Sequence, residues 1–207
     1  MVAYPHSLLP RGWACRILTA AALAVVLSAL AGHGFPTAQD QSAPAQAASE
    51  LAQGRRLYEE GRYVEAIEAL SKAIAANPKL LEAWWRRGAA KNSLRRYDDA
   101  LVDFERALAL NPDEPQALAR QGFALVQLGR PKEALPGLER AVELAPDNAF
   151  MWRQLAFANI RASDNRAALT AADRAIKLDP SHGDAWYYRG VARLFLDDHR
   201  AALADLE

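Results

Sequence analysis

Residues 84–115 read WWRRGAAKNSLRRYDDALVDFERALALNPDEP, and the order of small, large and turn-forming residues in this stretch decides the fold. The apolar spacing predicts two amphipathic helical stretches, Glu82–Leu94 and Asp98–Leu110, with a short polar turn between them. Small residues at Gly88 and Ala100 let the two helices of such a hairpin approach closely, and Ala107 does the same between one hairpin and the next. The large residues Trp84, Leu101, Phe104, Leu108 and Leu110 are placed to fill the space around those contacts. Asn111-Pro112-Asp113 ends the second helix, because the residue before a proline is pushed out of the α region. Pro115 then suits the first turn of a new helix, where its missing N–H is not needed.

The same order recurs in both directions. Gly54, Gly88, Gly122, Ala156 and Gly190 stand 34 residues apart, and so do Ala66, Ala100, Ala134, Ala168 and Ala202. Ala73, Ala107, Ala141 and Ala175 form a third column, and Pro78, Pro112, Pro146 and Pro180 a fourth. Four residues before the first column lies a large apolar side chain, Trp84, Leu118, Trp152 or Trp186, in every unit but the first, which has Glu50. No insertion breaks the register. A fixed period of this length is the mark of a solenoid, in which each unit buries its apolar face against its neighbours.

These columns resemble the tetratricopeptide repeat, whose pattern is W-x2-L-G-x2-Y followed by A, F, A and P. The resemblance implies an all-α, right-handed solenoid of antiparallel helical hairpins with about four and a half to five repeats, at 47–80, 81–114, 115–148, 149–182 and an incomplete 183–207. Tyr63 and Tyr97 keep the family's turn tyrosine. Unit 3 departs from the pattern with Pro131, Pro136 and Gly137; Pro136 is expected near the first turn of its helix, with a local bend. Unit 4 has Asn165 at the tyrosine position and Ala172 where other units carry a large residue, so its hairpin is expected to be the most loosely packed. The sequence stops at Glu207 inside a helix, whereas an array normally ends on a polar capping element. The expectation is a fragment, or an end covered by a partner or by self-association through the uncapped last repeat.

The first residues differ from the rest. Residues 1–31 contain Arg11 and Arg16, no acidic residue, and an apolar run from Ile17 to Ala31 that ends in an Ala-x-Ala pattern at Ala29 and Ala31. This is the composition of a secretory signal peptide, cleaved after Ala31; the alternative is an uncleaved anchor in the inner membrane formed by residues 17–31. The run has 15 residues, short of the roughly 20 that a spanning helix needs. Export to a bacterial periplasm is the expectation, with membrane attachment only if the signal stays. Residues 32–46, rich in Pro, Gln, Ala and Ser, are expected to form a flexible linker. Cys15 is the sole cysteine and precedes the apolar run, so a disulfide or a cysteine-based metal site in the cleaved chain is excluded.

The function classes narrow accordingly. Lys+Arg and Asp+Glu balance at 25 each, so the chain lacks the basic excess that drives phosphate binding and no nucleic-acid partner is expected. His6, His33, His182 and His199 form no zinc motif. Asp98-Asp99 and Asp197-Asp198 fall at starts of second helices, where they complement the helix dipole. No glycine-rich phosphate loop occurs. The expectation is therefore no enzyme, no cofactor, no metal and no small-molecule substrate. In proteins this array resembles, positions 2, 5, 9 and 12 of each first helix face a concave groove. On this sequence the resemblance implies a peptide- or protein-binding groove carrying Arg55, Tyr58, Trp85, Asn92, Phe123, Phe150, Arg153, Phe157, Arg161 and Tyr187. Trp, Tyr and Arg are the residues that dominate binding hot spots. The lysine/asparagine pair of the family's carboxylate clamp is missing, since its positions hold Leu51 and Arg55, Trp85 and Ala89, and Ala119 and Phe123. The readings left open are a groove-binding scaffold in cell-envelope assembly, a membrane-tethered subunit of an envelope complex, and an accessory module of a longer enzyme.

Overall fold

A computed structural model describes residues 38–207; the signal peptide and cleavage site expected in residues 1–31 lie outside them. Among the described residues there are ten helices and no strand. They run α1 Ala38–Glu59, α2 Tyr63–Ala76, α3 Leu81–Ser93, α4 Tyr97–Leu110, α5 Pro115–Gln127, α6 Pro131–Leu144, α7 Ala149–Ala162, α8 Asn165–Leu178, α9 Gly183–Phe195 and α10 His199–Leu206. Consecutive helices pair as antiparallel hairpins, giving an all-α solenoid in which the first helices α3, α5, α7 and α9 also touch one another in series. That row of first helices forms the face on which the groove lies.

Helix α1 begins at Ala38, within the stretch expected to be a flexible linker, and it carries Pro44 inside it. Alanine and glutamine dominate this segment and are among the better helix formers, and Ala47 is buried against the array. None of the helices among the described residues is long and apolar enough to cross a membrane.

The columns of small residues have a direct steric reason. A Cβ added at Gly54, Gly88, Gly122 or Gly190 would lie 2.6, 2.7, 2.5 or 2.8 Å from the side chain of Leu70, Phe104, Leu138 or Leu206. Each of these large residues comes from the second helix of the same hairpin, and Leu70, Phe104 and Leu138 are completely buried. In unit 4 the exchange is reversed: Ala156 supplies the methyl group, and Ala172 stands where the large side chain would be. Both are completely buried and sit in one cluster with Met151, Leu155 and Ala171. The loose hairpin expected there is not seen: Ala156 and Ala172 are smaller together than a glycine-plus-large pair, yet both are sealed, with Met151 and Leu155 packed in the same cluster. Leu110, expected to be an internal filler, is exposed at the end of α4.

The turns within the hairpins repeat as strictly. Gly61, Arg95, Gly129, Ser163 and Asp197 all have positive φ, between 60° and 76°, at successive 34-residue steps. Only two are glycine, so the other three hold a left-handed conformation that costs a side-chain-bearing residue roughly 1–2 kcal/mol. Ser163→Gly is expected to relieve that strain of roughly 1–2 kcal/mol and lose about 0.5–1 kcal/mol to unfolded-chain entropy, for a net gain of up to about 1.5 kcal/mol in a urea titration.

The turns between hairpins are fastened by tryptophan. The indole Nε1 of Trp84, Trp152 and Trp186 donates to the carbonyl oxygen of Pro78, Pro146 and Pro180, at 2.8, 2.8 and 2.9 Å. The large-residue column is thus a polar staple as well as a filler, except in unit 3, where Leu118 has no donor. Pro115 and Pro131 occupy the first positions of α5 and α6. Because α6 starts at Pro131, Pro136 falls in its second turn, deeper than expected, yet the helix runs on to Leu144. Asp98 and Asp99 lie in the first turn of α4, and Asp198 caps α10 by accepting from the Ala201 N–H at 3.2 Å.

Two hairpins carry an internal ion clasp. Asp103, completely buried on α4, accepts two bonds from Arg87 (2.9 and 2.7 Å) and faces Lys91 Nζ at 2.7 Å. Arg87 also donates to Ser71 Oγ of the preceding hairpin at 3.0 Å. Unit 5 repeats the arrangement: Arg189 and Arg193 grip Asp205, and Arg189 reaches back to Asp173 of unit 4. Bonding to Asp205 and then to Asp173 outweighs burial and holds the Arg189 guanidinium above its ordinary pKa. Units 3 and 4 have Gln121 with Gly137, and Leu155 with Ala171, at the corresponding positions.

Candidate functional site

A cavity of about 380 Å³ opens on the face formed by the first helices. It is lined by Tyr58 of α1, Ala89, Asn92 and Ser93 of α3 and its end, Arg95 and Tyr97 of the turn and α4, Arg120 and Phe123 of α5, and Phe150 and Gln154 of α7. Helical periodicity produces this grouping, since residues three and four apart share a face. Stacking successive hairpins then sets those faces side by side.

Aromatic rings continue from the cavity along the array. Tyr97 meets Phe123 edge-on at 6.2 Å, Phe123 lies 6.2 Å from Phe157, and Phe157 stacks on Tyr188 at 5.5 Å. Tyr187 meets Tyr188 at 5.8 Å and is 57% exposed. Burial, with the Asp184 charge second to it, pushes the Tyr188 phenol up to about 12, so this ring stays neutral throughout the physiological range. Such pairs hold one another in fixed orientations and add about 0.5–1.5 kcal/mol each beyond area burial.

A second row lies beside the rings and is cationic. The Arg120 guanidinium is 5.6 Å from the Trp85 ring and 5.1 Å from the Phe150 ring, and Arg153 is 5.8 Å from the same Phe150 ring. Arg120 makes one long bond to the Tyr58 hydroxyl, 3.5 Å. Neither arginine has an ion-pair partner among the described residues, although most other arginines there do. Asn92, 8% exposed, donates to the Arg120 carbonyl at 3.0 Å while its Oδ1 has no partner. Arg120 Nε, Arg153 Nε and Gln154 Oε1 are also buried without a partner. Each such atom costs about 1–3 kcal/mol of lost hydration; Asn92, Arg120 and Gln154 line the cavity, whereas Glu50 Oε2 and Asn165 Oδ1, in the same state, lie outside its lining.

The residues named from the sequence distribute unevenly over this surface. Tyr58, Asn92, Phe123 and Phe150 line the cavity, Arg153 stands on its Phe150 wall, and Phe157 and Tyr187 belong to the aromatic run. Trp85 is only 9% exposed and lies between the guanidiniums of Arg86, at 4.4 Å, and Arg120, so it forms the floor. Arg55 is exposed and 3.8 Å from Glu82. Arg161 stands apart, in a separate polar cleft with Gly129, Arg130, Lys132 and Ser163 at the hairpin turns. Arg120, Gln154, Tyr97 and Tyr188 were not legible as groove residues. Arg120, Gln154 and Tyr188 are one position past the assumed groove position of their helices, and Tyr97 begins a second helix. Among the described residues there is no group of three or more His, Cys, Asp and Glu side chains placed to hold a metal ion.

Tetratricopeptide repeat models match residues 92–156 and 154–207, and a further TPR repeat model matches residues 54–94. The chain belongs to the tetratricopeptide repeat family. Among solved structures, this TPR array is similar to MamA from Desulfovibrio magneticus RS-1, with 26% identity, a TM-score of 0.67, and 77% of this chain and 90% of that one covered. It is also similar to YrrB, described as a TPR protein with an unusual peptide-binding site, at 26% identity, a TM-score of 0.60, and coverage of 75% and 80%. A thermophilic TPR protein from Thermus thermophilus, 21% identical with a TM-score of 0.67 over 77% of this chain and 87% of that one, shares the fold. A comparison with curated proteins finds no match.

Proposed function

We propose that this TPR protein is a non-catalytic scaffold that holds an extended segment of a partner protein along the face of its first helices. The observation that carries the reading is the alignment of the Tyr97–Phe123–Phe157–Tyr188 rings beside a cavity whose polar walls are left unsatisfied. Fixed rings offer contact area at little entropic cost, and arginines beside them are among the residues that dominate binding hot spots. YrrB, 26% identical, is described as a TPR protein with an unusual peptide-binding site, which supports a peptide as the ligand of this chain. The leader composition of residues 1–31 supports export to the periplasm and work in cell-envelope assembly.

In-cell crosslinking followed by mass spectrometry tests both parts. A dominant partner protein is expected with the natural chain and is expected to be lost in Phe123→Ala/Phe157→Ala, with helicity by circular dichroism retained. Crosslinks unchanged in the double variant, or joining only copies of this chain, would sink the groove reading. Sequencing the mature N-terminus in the same sample is expected to find Gly32 first; a chain retaining Ile17–Ala31 would point to the tethered alternative.

A further inference from the structure

We infer that the groove selects an acidic segment: an extended peptide with an Asp or Glu side chain seated between Arg120 and Arg153 over the Phe150 ring. The inference rests on the proposed peptide-binding reading and specifies the chemistry of its ligand.

Two guanidiniums share one aromatic ring and have no ion-pair partner among the described residues. A ring face attracts a cation through its quadrupole and leaves the charge in place. Two like charges within 6 Å of one ring on a part-buried wall raise the local positive potential, and an anion entering there relieves it. Other acidic side chains at this end of the groove are engaged. Asp179 accepts from the N–H and hydroxyl of Ser181 at 3.1 and 2.6 Å, bonds that hold its carboxyl below the usual range with the Arg153 charge a lesser influence, and Glu82 is taken by Arg86 at 2.6 Å.

Arg120 and Arg153 are half-buried with Nε sealed from solvent, which leaves the terminal nitrogens of each guanidinium fork as the donors for an entering carboxylate. Free carboxylate at a peptide's C-terminus shares this chemistry. The internal side chain is favoured because aromatic surface continues on both sides of the arginines, through Trp85 and Tyr58 in one direction and Phe157 and Tyr188 in the other. A chain that ended at the arginines would leave half of that surface unused.

The test is selection from a displayed random dodecapeptide library on the full chain, followed by fluorescence anisotropy with the selected peptides made synthetically. Selected peptides are expected to be enriched in an internal Asp or Glu, and changing it to Asn or Gln is expected to weaken binding by about tenfold or more. Amidating the C-terminus is expected to change little. In Arg120→Gln/Arg153→Gln the acidic and amide forms are expected to bind alike, while the apolar contribution persists and helicity is unchanged. Selected peptides with no acidic preference that still lose binding in Phe123→Ala/Phe157→Ala would overturn the acidic inference and leave the groove standing. Peptides whose acid acts only as a C-terminal carboxylate would also overturn it. Failure to select any peptide that depends on the two phenylalanines would remove both readings together.

Discussion

Asp103→Ala is expected to destabilise the array by about 3–5 kcal/mol, the usual cost of breaking a buried ion pair from one side. Asp103 is completely sealed, and its two oxygens take two bonds from Arg87 and the ammonium of Lys91. Removing the carboxylate leaves both cations without a partner inside the hairpin, and Arg87 can no longer hold Ser71 of the preceding hairpin in the same geometry. The measurement is the urea midpoint, with Arg96→Ala as the control. That variant breaks the exposed Arg96–Asp99 pair and is expected to leave the midpoint in place, since exposed pairs contribute little. Equal losses in the two variants would show that Asp103 is not a clasp. Units 2 and 5 carry the clasp and units 3 and 4, which lie between them, do not.

The second large effect concerns the glycine column. Phe104→Ala is expected to cost about 3–5 kcal/mol, because it empties a completely buried site. Gly88→Ala alone is expected to cost about 1–3 kcal/mol by driving a methyl group to within 2.7 Å of the Phe104 ring. The double variant recreates the Ala156/Ala172 pair that unit 4 already uses, so its loss is expected to be smaller than the sum, with a coupling of about 0.5–3 kcal/mol. Calorimetric or denaturant stabilities of the four chains close the cycle. Additive losses would mean that the glycine is kept for its backbone and not for the ring opposite it.

Much of the fold was legible because its causes are local and repeated. A 34-residue step written in Gly, Ala and Pro columns specifies helix, turn, helix and turn without reference to distant residues, and the structure places every hairpin on that step. What stayed illegible are the places where two distant residues share one task. Ala172 by itself reads as a missing filler, whereas in the structure it shares a sealed cluster with Ala156. Trp84, Trp152 and Trp186 read as purely apolar, whereas their indole N–H groups meet the proline carbonyls. Asp103 and Asp205 carry a signal that could have found them: they are charged residues in a column otherwise small, 16 residues after Arg87 and Arg189.

The sequence alone determined the family, the number and order of hairpins, and the face that carries the aromatic residues, since each follows from a short-range period. Tertiary structure alone decided which of those residues share a cavity. It set Arg120 and Arg153 on one Phe150 ring, lowered Trp85 into the floor and moved Arg161 to another cleft. The physical reason is that groove membership depends on which side chains of successive hairpins meet when the first helices stack. Arg120 and Gln154 stand about 100° round their helices from the assumed inner position, and they reach the cavity because neighbouring hairpins bring the Tyr58, Trp85 and Phe150 rings against that side.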